Sequence, residues 1–187
     1  MSIDRKINRI QFLTGNSLKF IAVLTMVIDH LCKIVLQWLL SNYWGAMADN
    51  GQMSWERFRE IDYFIRFDLQ SIGTIAFPLF CFLLAEGFQH TRSKKRYIGL
   101  MLAFALISEI PFDIGFFSAY SRMEGTFPFY LKYQNVFFTL FLGLLTLVCL
   151  ERFSCKSDLP VDRIKSAVLQ VLSVVLFSGI AEGIHCD

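Results

Sequence analysis

Apolar residues in this chain are gathered into five long runs, which are separated by shorter polar or charged segments. Each run is about 17 to 23 residues long, and a helix of that length crosses a hydrocarbon layer roughly 30 Å thick. The runs occupy residues 18–40, 72–88, 97–117, 135–153 and 164–184. The pattern therefore predicts an all-α fold, a polytopic transmembrane helical bundle with about five spans.

The connection between the first two runs has a different pattern. Within residues 54–70, aromatic and aliphatic side chains recur at helical spacing with charged side chains between them. This alternation is typical of an amphipathic helix that lies at the membrane interface. We therefore expect residues 1–187 to form a single integral membrane domain with one interfacial segment.

Composition agrees with a membrane protein. Hydrophobic residues make up 55% of the chain and charged residues 18%, against about a quarter charged in ordinary globular domains. The net charge of +2 gives no reason to expect a nucleic-acid partner. The five cysteines include no C-x-x-C pair, which argues against a disulfide framework.

Lysine and arginine are distributed unevenly among the connections. Four lie before or at the start of the first span (Arg5, Lys6, Arg9 and Lys19), four lie in the second connection, and four lie in the fourth connection or at the span ends beside it. The other two connections hold three and two. Because positive residues remain on the cytoplasmic side, we expect the N-terminus to be cytoplasmic.

The first run contains a group of polar residues near its middle. Asp29 and Lys33 are four residues apart, so they share a helix face and can neutralise one another. His30 then faces a different neighbour, and an imidazole beside a carboxylate is suited to act as a general base. The alternative is a buried polar group that only fixes how the helices pack.

Further polar residues follow the second run. Glu86 and His90 lie four apart on one helix face, at the expected cytoplasmic end. A basic turn comes next, with the cations Arg92, Lys94, Lys95 and Arg96. These cations could hold the phosphates of a cytosolic cofactor such as coenzyme A; alternatively, they only set the topology.

The third run carries two acids, Glu109 and Asp113, with Pro111 between them. A proline kinks a helix and frees carbonyl groups, so the acids could line a cavity. Asn135, at the start of the fourth run, offers an amide donor that could stabilise an oxyanion, although asparagine also caps helices.

The chain ends with a Glu-x-x-His spacing at Glu182 and His185, a pattern found in metal-binding helical bundles. One such motif is too few ligands for a site, and the expected topology places His90 on the other side of the membrane. We therefore expect no metal.

Four sequence words, in this order, resemble one known family: IAVLTMVIDH, IAFPLFCFLLAEGFQHTRSKKRY, LAFALISEIPFDI and QNVFFTLFLGLL. They resemble the TraX family, which is named for the F-pilin acetylation protein of conjugative plasmids, over most of residues 18–150. The chain departs from the family pattern at Gly73-Thr74, where Gly-Arg is usual. Its tail resembles the start of a segment that continues into further membrane helices, so we expect a fragment or a shortened member.

The resemblance implies an acetyltransferase of the bacterial cytoplasmic (inner) membrane that draws on acetyl-CoA as the acyl donor. Its acceptor would be an amine, as in a pilin N-terminus, or a hydroxyl of a glycan or lipid. Combined with the residue patterns, this gives one hypothetical site. His30 would be the base, with Asp29 orienting it and Asn135 supporting the oxyanion. Substrate binding would fall to Glu109, Asp113, Glu86 and His90, and phosphate binding to Arg92, Lys94, Lys95 and Arg96.

Two other interpretations fit the same residues. Acids and histidine inside spans also make proton relays, as in a proton-coupled transporter or channel. A non-catalytic membrane protein of pilus assembly would need neither coenzyme A nor proton flux. Apart from membrane lipid and the acceptor, the sequence identifies no partner and no oligomeric state.

Overall fold

The computed structural model describes residues 15–155 and 159–185. Arg5, Lys6, Arg9 and Lys156, which contribute to the charge asymmetry, and Cys186 lie outside the described residues. The described residues contain no β-strand. Their helices are α1 (Gly15–Asp49), α2 (Trp55–His90), α3 (Lys94–Phe116), α4 (Ser118–Glu124), α5 (Val136–Arg152) and α6 (Pro160–Gly183).

Four of these helices, α1, α2, α3 and α6, are long and apolar enough to cross a membrane. The prediction of an all-α membrane bundle is confirmed. α5 has 17 residues, which gives a length of about 25 Å. Its assignment as a fifth span therefore stays a prediction. The cytoplasmic location of the N-terminus also stays a prediction.

α1 and α2 extend well beyond the apolar runs, with 35 and 36 residues. The amphipathic segment expected at 54–70 is helical, but it is continuous with the second run and does not form a separate element. Polar side chains at the junction bond within the helix and do not break it: Ser71 Oγ donates to the Phe67 carbonyl, and Thr74 Oγ1 donates to the Ser71 carbonyl at 2.7 Å. Both helices also contain π-helical turns, at Leu31–Leu36, Leu40–Trp44 and Phe64–Leu69.

The described residues divide into two compact units, with the boundary after Leu83, inside α2. In the first unit, α1 packs against the early part of α2. Their buried centre consists of Cys32, Leu40 and Ile65, with Phe58 and Ile61 packed beside it. The apolar face of the amphipathic segment thus packs on α1, because the same helical spacing that predicted it places those side chains in one stripe.

A close backbone approach fixes where α1 and α2 meet. A Cβ atom added at Gly73 would lie 2.5 Å from Asp29 Cβ and 2.8 Å from Asp29 Cα. No side chain fits at that separation, so glycine is required here. The contact also sets the register, because it brings Asp29 level with the beginning of the second apolar run.

In the second unit, α5 packs against both α3 and α6. Leu140, Leu142 and Leu144 of α5 are buried. Lys94 at the start of α3 forms an ion pair with Glu151 near the end of α5. Gln170 Nε2 on α6 donates to the Leu150 carbonyl at 3.1 Å. Polar bonds thus join the end of α5 to the beginning of α3 and to the middle of α6.

We expect Gly73→Ala to lower the free energy of unfolding by about 1–3 kcal/mol, because the added methyl group must displace the α1 backbone. The measurement is denaturant unfolding of the detergent-solubilised protein. The matched control is Gly99→Ala, since a Cβ at Gly99 meets nothing within 4 Å. The control should be neutral or gain up to about 1 kcal/mol from helix propensity. Equal effects of the two changes would contradict the close packing.

Candidate functional site

Asp29 and Lys33 form an ion pair inside α1. Lys33 Nζ lies 2.9 Å from Asp29 Oδ2, as the four-residue spacing predicted. The Asp29 side chain is 14% exposed, and its other oxygen, Oδ1, is buried without a hydrogen-bond partner. Lys33 therefore provides the charge that balances this carboxylate within the helix.

His30 is oriented by a different group from the one expected. Its Nδ1 lies 2.9 Å from the Met26 carbonyl oxygen and 4.0 Å from Asp29 Oδ2. A carbonyl oxygen can only accept, so Nδ1 is the donor, and in the neutral ring Nε2 carries the lone pair. The hydrogen bond that sets the tautomer is thus to Met26, and Asp29 lies beyond hydrogen-bond distance. The imidazole is 44% exposed.

The contact between α1 and α2 shows which part of α2 lies beside this group. Asp29 contacts Gly73, and the part of α2 before Gly73 is the charged amphipathic segment. The Asp29 group therefore lies level with the transition from charged to apolar sequence in α2. Charged side chains cost less near the end of an apolar segment than deep within one.

In the second unit, Glu109 and Asn135 are brought together as one bonded pair. The Asn135 backbone N–H donates to Glu109 Oε2 at 3.2 Å, and its side-chain Nδ2 donates to the same oxygen. Nδ2 also donates to the Ala105 carbonyl at 2.9 Å. Asn135 Oδ1 accepts from the Phe137 N–H at 2.9 Å and so caps α5.

This arrangement does not fit Asn135 as an oxyanion donor. Its Nδ2 carries two hydrogens, which are engaged by Glu109 and Ala105, and the residue is 3% exposed. An oxyanion would have to displace one of those bonds. Asn135 is instead a helix cap that ties α5 to α3, the alternative that the sequence left open.

Asp113 has a related role, at the next turn along α3. Its Oδ2 accepts the Tyr130 backbone N–H at 2.8 Å, and the residue has no exposed surface. Glu109 is 7% exposed. As placed, both acids are covered, so the predicted contact with an acceptor amine does not fit this geometry. They hold the connection between α4 and α5 by its backbone.

The basic turn combines bonded and exposed cations. Ser93 Oγ accepts the Arg96 backbone N–H at 3.4 Å and caps α3. Lys94 pairs with Glu151 and lies 4.5 Å from the centre of the Phe88 ring, so part of its role is to join helices. Arg92, Lys95 and Arg96 are exposed. Three exposed cations thus surround the N-terminus of a 23-residue helix, where anions are also favoured by the helix dipole.

The remaining predicted residues lie at helix ends. Glu86 and His90 are exposed near the end of α2. The His185 ring lies 5.4 Å from the Tyr133 ring. Both rings line an open groove of about 500 Å³ between residues 131–134 and the end of α6. Within residues 15–155 and 159–185, no group of three His, Cys, Asp or Glu side chains is placed to hold a metal.

Sequence reasoning missed two features of these sites. One is the Met26 carbonyl, which no side-chain pattern reveals. The other is an aromatic stack beside Asp113, where the Phe117 ring lies 4.9 Å from Tyr130 and 5.3 Å from Tyr133. The density of aromatic residues between 112 and 133 was a signal for it, but their pairing depends on how the connection folds back on α3.

These features define a polytopic helical membrane protein with ionisable side chains bonded inside its helices. The chain belongs to the TraX protein family, which matches residues 14–185, and the resemblance is confirmed. It is also similar to a probable fimbrial assembly protein FimC, serogroup H1, of Dichelobacter nodosus, with 32% identity over 132 residues. That match covers 70% of this chain and 44% of the relative, so the chain spans less than half of the relative's length. No solved structure matches the chain.

We expect Asn135→Ala to lower the free energy of unfolding by about 2–4 kcal/mol, because it removes a helix cap and leaves Glu109 and Ala105 short of donors. Chemical denaturation in detergent measures the change. The control is Asn42→Ala, since Asn42 is exposed and its amide bonds only the Trp38 carbonyl. The control should change stability by less than about 0.5 kcal/mol. A comparable loss in both variants would contradict the role of Asn135.

Proposed function

We propose that this protein takes part in acetyl transfer from acetyl-CoA to an amine or hydroxyl acceptor at the bacterial cytoplasmic membrane, with His30 as the general base. The observation that carries the proposal is the bond between His30 Nδ1 and the Met26 carbonyl at 2.9 Å. It fixes the tautomer in which Nε2 can accept a proton. Membership of the TraX family, together with the pilin acetylation after which the family is named, supports the choice of reaction.

The surroundings of His30 suit proton transfer. The ring is 44% exposed, so an acceptor can reach it. The Asp29 carboxylate, 4.0 Å away, stabilises the imidazolium that forms when Nε2 takes a proton. Lys33 already pairs with Asp29, which moderates this effect. The Met26 carbonyl thus orients the proposed base. The Asp29 carboxylate favours its protonated form without a hydrogen bond to it.

The proton balance of the reaction is simple. The nucleophilic nitrogen or oxygen of the acceptor forms the new bond to the acetyl carbon and gives its proton to His30. The bond between that carbon and the thioester sulfur breaks, and the sulfur leaves as a thiolate that takes up a proton. Acetyl-CoA supplies the activated acetyl group as a substrate. No metal or redox partner is needed for this balance.

The basic turn supports binding of the donor. Arg92, Lys95 and Arg96 are exposed, and they flank the capped N-terminus of α3. Guanidinium groups bind phosphate oxygens by charge-assisted hydrogen bonds. We propose that these three residues bind the phosphates of coenzyme A, and that Lys94 mainly joins α3 to α5 through Glu151.

The biological setting follows from the relative's name. The D. nodosus protein is named as a probable fimbrial assembly protein, and pili and fimbriae are built from subunits that pass through the membrane. We propose that the acceptor belongs to such a surface fibre, with the N-terminal amine of a subunit as the first candidate.

The His30→Ala variant tests the base. In cells that lack the gene, the full-length natural protein should restore an acetyl mark that mass spectrometry detects on membrane or surface material. His30→Ala should reduce the rate of its appearance by roughly 10²–10⁴-fold. Gln37→Ala, on the same helix, is the control and should restore the mark fully. Full restoration by His30→Ala would refute the assigned base, and no mark dependent on the wild-type gene would refute acetyl transfer.

Coenzyme A binding tests the donor site separately. We expect coenzyme A to raise the melting temperature of the purified protein, because it binds only the folded state. Replacing Arg92, Lys95 and Arg96 together by glutamine should raise the half-saturating concentration by at least about tenfold, as three charge-assisted contacts are lost. The control replaces the exposed Arg57 and Arg59 by glutamine. An unchanged response in the basic-turn variant would exclude this turn, and no response in the wild type would favour a protein that does not use coenzyme A.

A further inference from the structure

We propose that Lys33 is a further catalytic residue of the transfer proposed above, and that its ammonium group stabilises the oxyanion that forms on the acetyl carbonyl. The inference rests on the proposed function, because that oxyanion exists only if the thioester reacts. This role was expected of Asn135, but both hydrogens of the Asn135 Nδ2 are engaged, by Glu109 and by the Ala105 carbonyl. The transfer therefore needs a different donor.

Lys33 lies on the same side of α1 as the proposed base. Its Nζ is 2.9 Å from Asp29 Oδ2, and His30 Nδ1 is 4.0 Å from the same oxygen. One carboxylate oxygen thus has both nitrogens within 4.0 Å. A thioester whose acceptor gives its proton to the imidazole is then close to the positive charge of Lys33.

The position of the ammonium group is fixed through Asp29. The backbone of α2 comes so close at Gly73 that a Cβ atom there would lie 2.5 Å from Asp29 Cβ and 2.8 Å from Asp29 Oδ1. Asp29 is thereby held against α2, and the ion pair in turn holds Lys33. Electrostatic stabilisation of an oxyanion is strongest when the donor is positioned before the reaction, and these contacts provide that position.

The ammonium group also has free capacity and is accessible. It carries three hydrogens, and within residues 15–155 and 159–185 its ion-pair partner is Asp29. The Lys33 side chain is 38% exposed, which is close to the 44% of His30, whereas the Asp29 side chain is 14% exposed. A carbonyl oxygen can therefore approach Lys33 without displacing the carboxylate.

The movement of charge in the transfer suits this arrangement. As the acceptor's lone pair forms the bond to the acetyl carbon, the carbonyl electron pair moves to oxygen, and His30 takes the acceptor's proton. When that pair returns, the bond between carbon and sulfur breaks and its electrons leave with the thiolate. Lys33 keeps its proton throughout and stabilises the negative oxygen by a charge-assisted hydrogen bond.

The experiment separates this role from the neutralisation of Asp29. Loss of Lys33 alone leaves a covered carboxylate without its cation, which destabilises the fold, so the main comparison is made in an Asp29→Asn background. Membrane vesicles from cells that lack the gene and carry the full-length protein are given radiolabelled acetyl-CoA. The maximal rate of label transfer per molecule of protein gives kcat, and its dependence on acetyl-CoA concentration gives KM.

Adding Lys33→Gln to Asp29→Asn should lower kcat by roughly 10²–10³-fold and leave KM unchanged, because the contact with the oxyanion is made only in the transition state. The matched control adds Lys19→Gln, which removes an exposed lysine of the same helix, and it should keep the kcat of Asp29→Asn. Lys33→Gln in the otherwise natural protein is measured in parallel, with its melting response to coenzyme A as the check of folding, and should show the same loss.

The outcomes distinguish this inference from the proposed function. An unchanged kcat in either Lys33→Gln variant overturns the role of Lys33 and leaves acetyl transfer with His30 as the base intact. A change confined to KM also overturns it, because that result assigns Lys33 to binding of the donor. If the wild type transfers no label, the proposed function fails and this inference fails with it.

Discussion

A polar group placed at membrane depth must find its partners inside the protein, and this structure depends on that constraint. Hydrocarbon offers no hydrogen bonds, so an unsatisfied backbone or side-chain group there costs several kcal/mol. The structure meets the demand with bonds inside and between helices. Serine and threonine donate to carbonyls of the preceding turn, as Thr25 does to Ile21 at 2.9 Å. The acids and Asn135 go further and bond across elements.

The two units meet this constraint with different partners. In the first unit, Lys33 neutralises Asp29 and a carbonyl orients His30. The imidazole of His30 is 44% exposed. In the second unit, the acids are satisfied by backbone N–H groups and lie under the connection that they hold. These bonds tie the connection before α5 to α3. Similar residue types therefore take different partners, a lysine and a helix carbonyl in the first unit and backbone N–H groups in the second.

Much of the fold could be predicted from the sequence, because hydrophobic periodicity depends on local rules. The apolar runs predicted the membrane helices. The helical spacing of apolar residues in the segment 54–70 predicted an apolar face, and Phe58 and Ile61 of that face pack on α1. The length of α1 and α2 was not predictable in this way, since hydropathy marks where a helix meets lipid and not where it ends. The continuity of α2 through Gln70 and Ser71 depends on side-chain bonds to nearby carbonyls, which polar composition alone does not distinguish from a break.

The site was less predictable for a related reason. Sequence identifies which side chains could do chemistry, but their availability depends on what each donor and acceptor already bonds. Asn135 was a reasonable oxyanion donor by residue type, yet its Oδ1 caps α5 and both hydrogens of its Nδ2 are engaged, by Glu109 and by the Ala105 carbonyl. His30 remained suitable because its partner is a backbone carbonyl four residues earlier, a bond that any helix can offer to a side chain in the right rotamer. The bonds that Asn135 already makes therefore assign it to the tie between α3 and α5, whereas His30 stays the base that we propose.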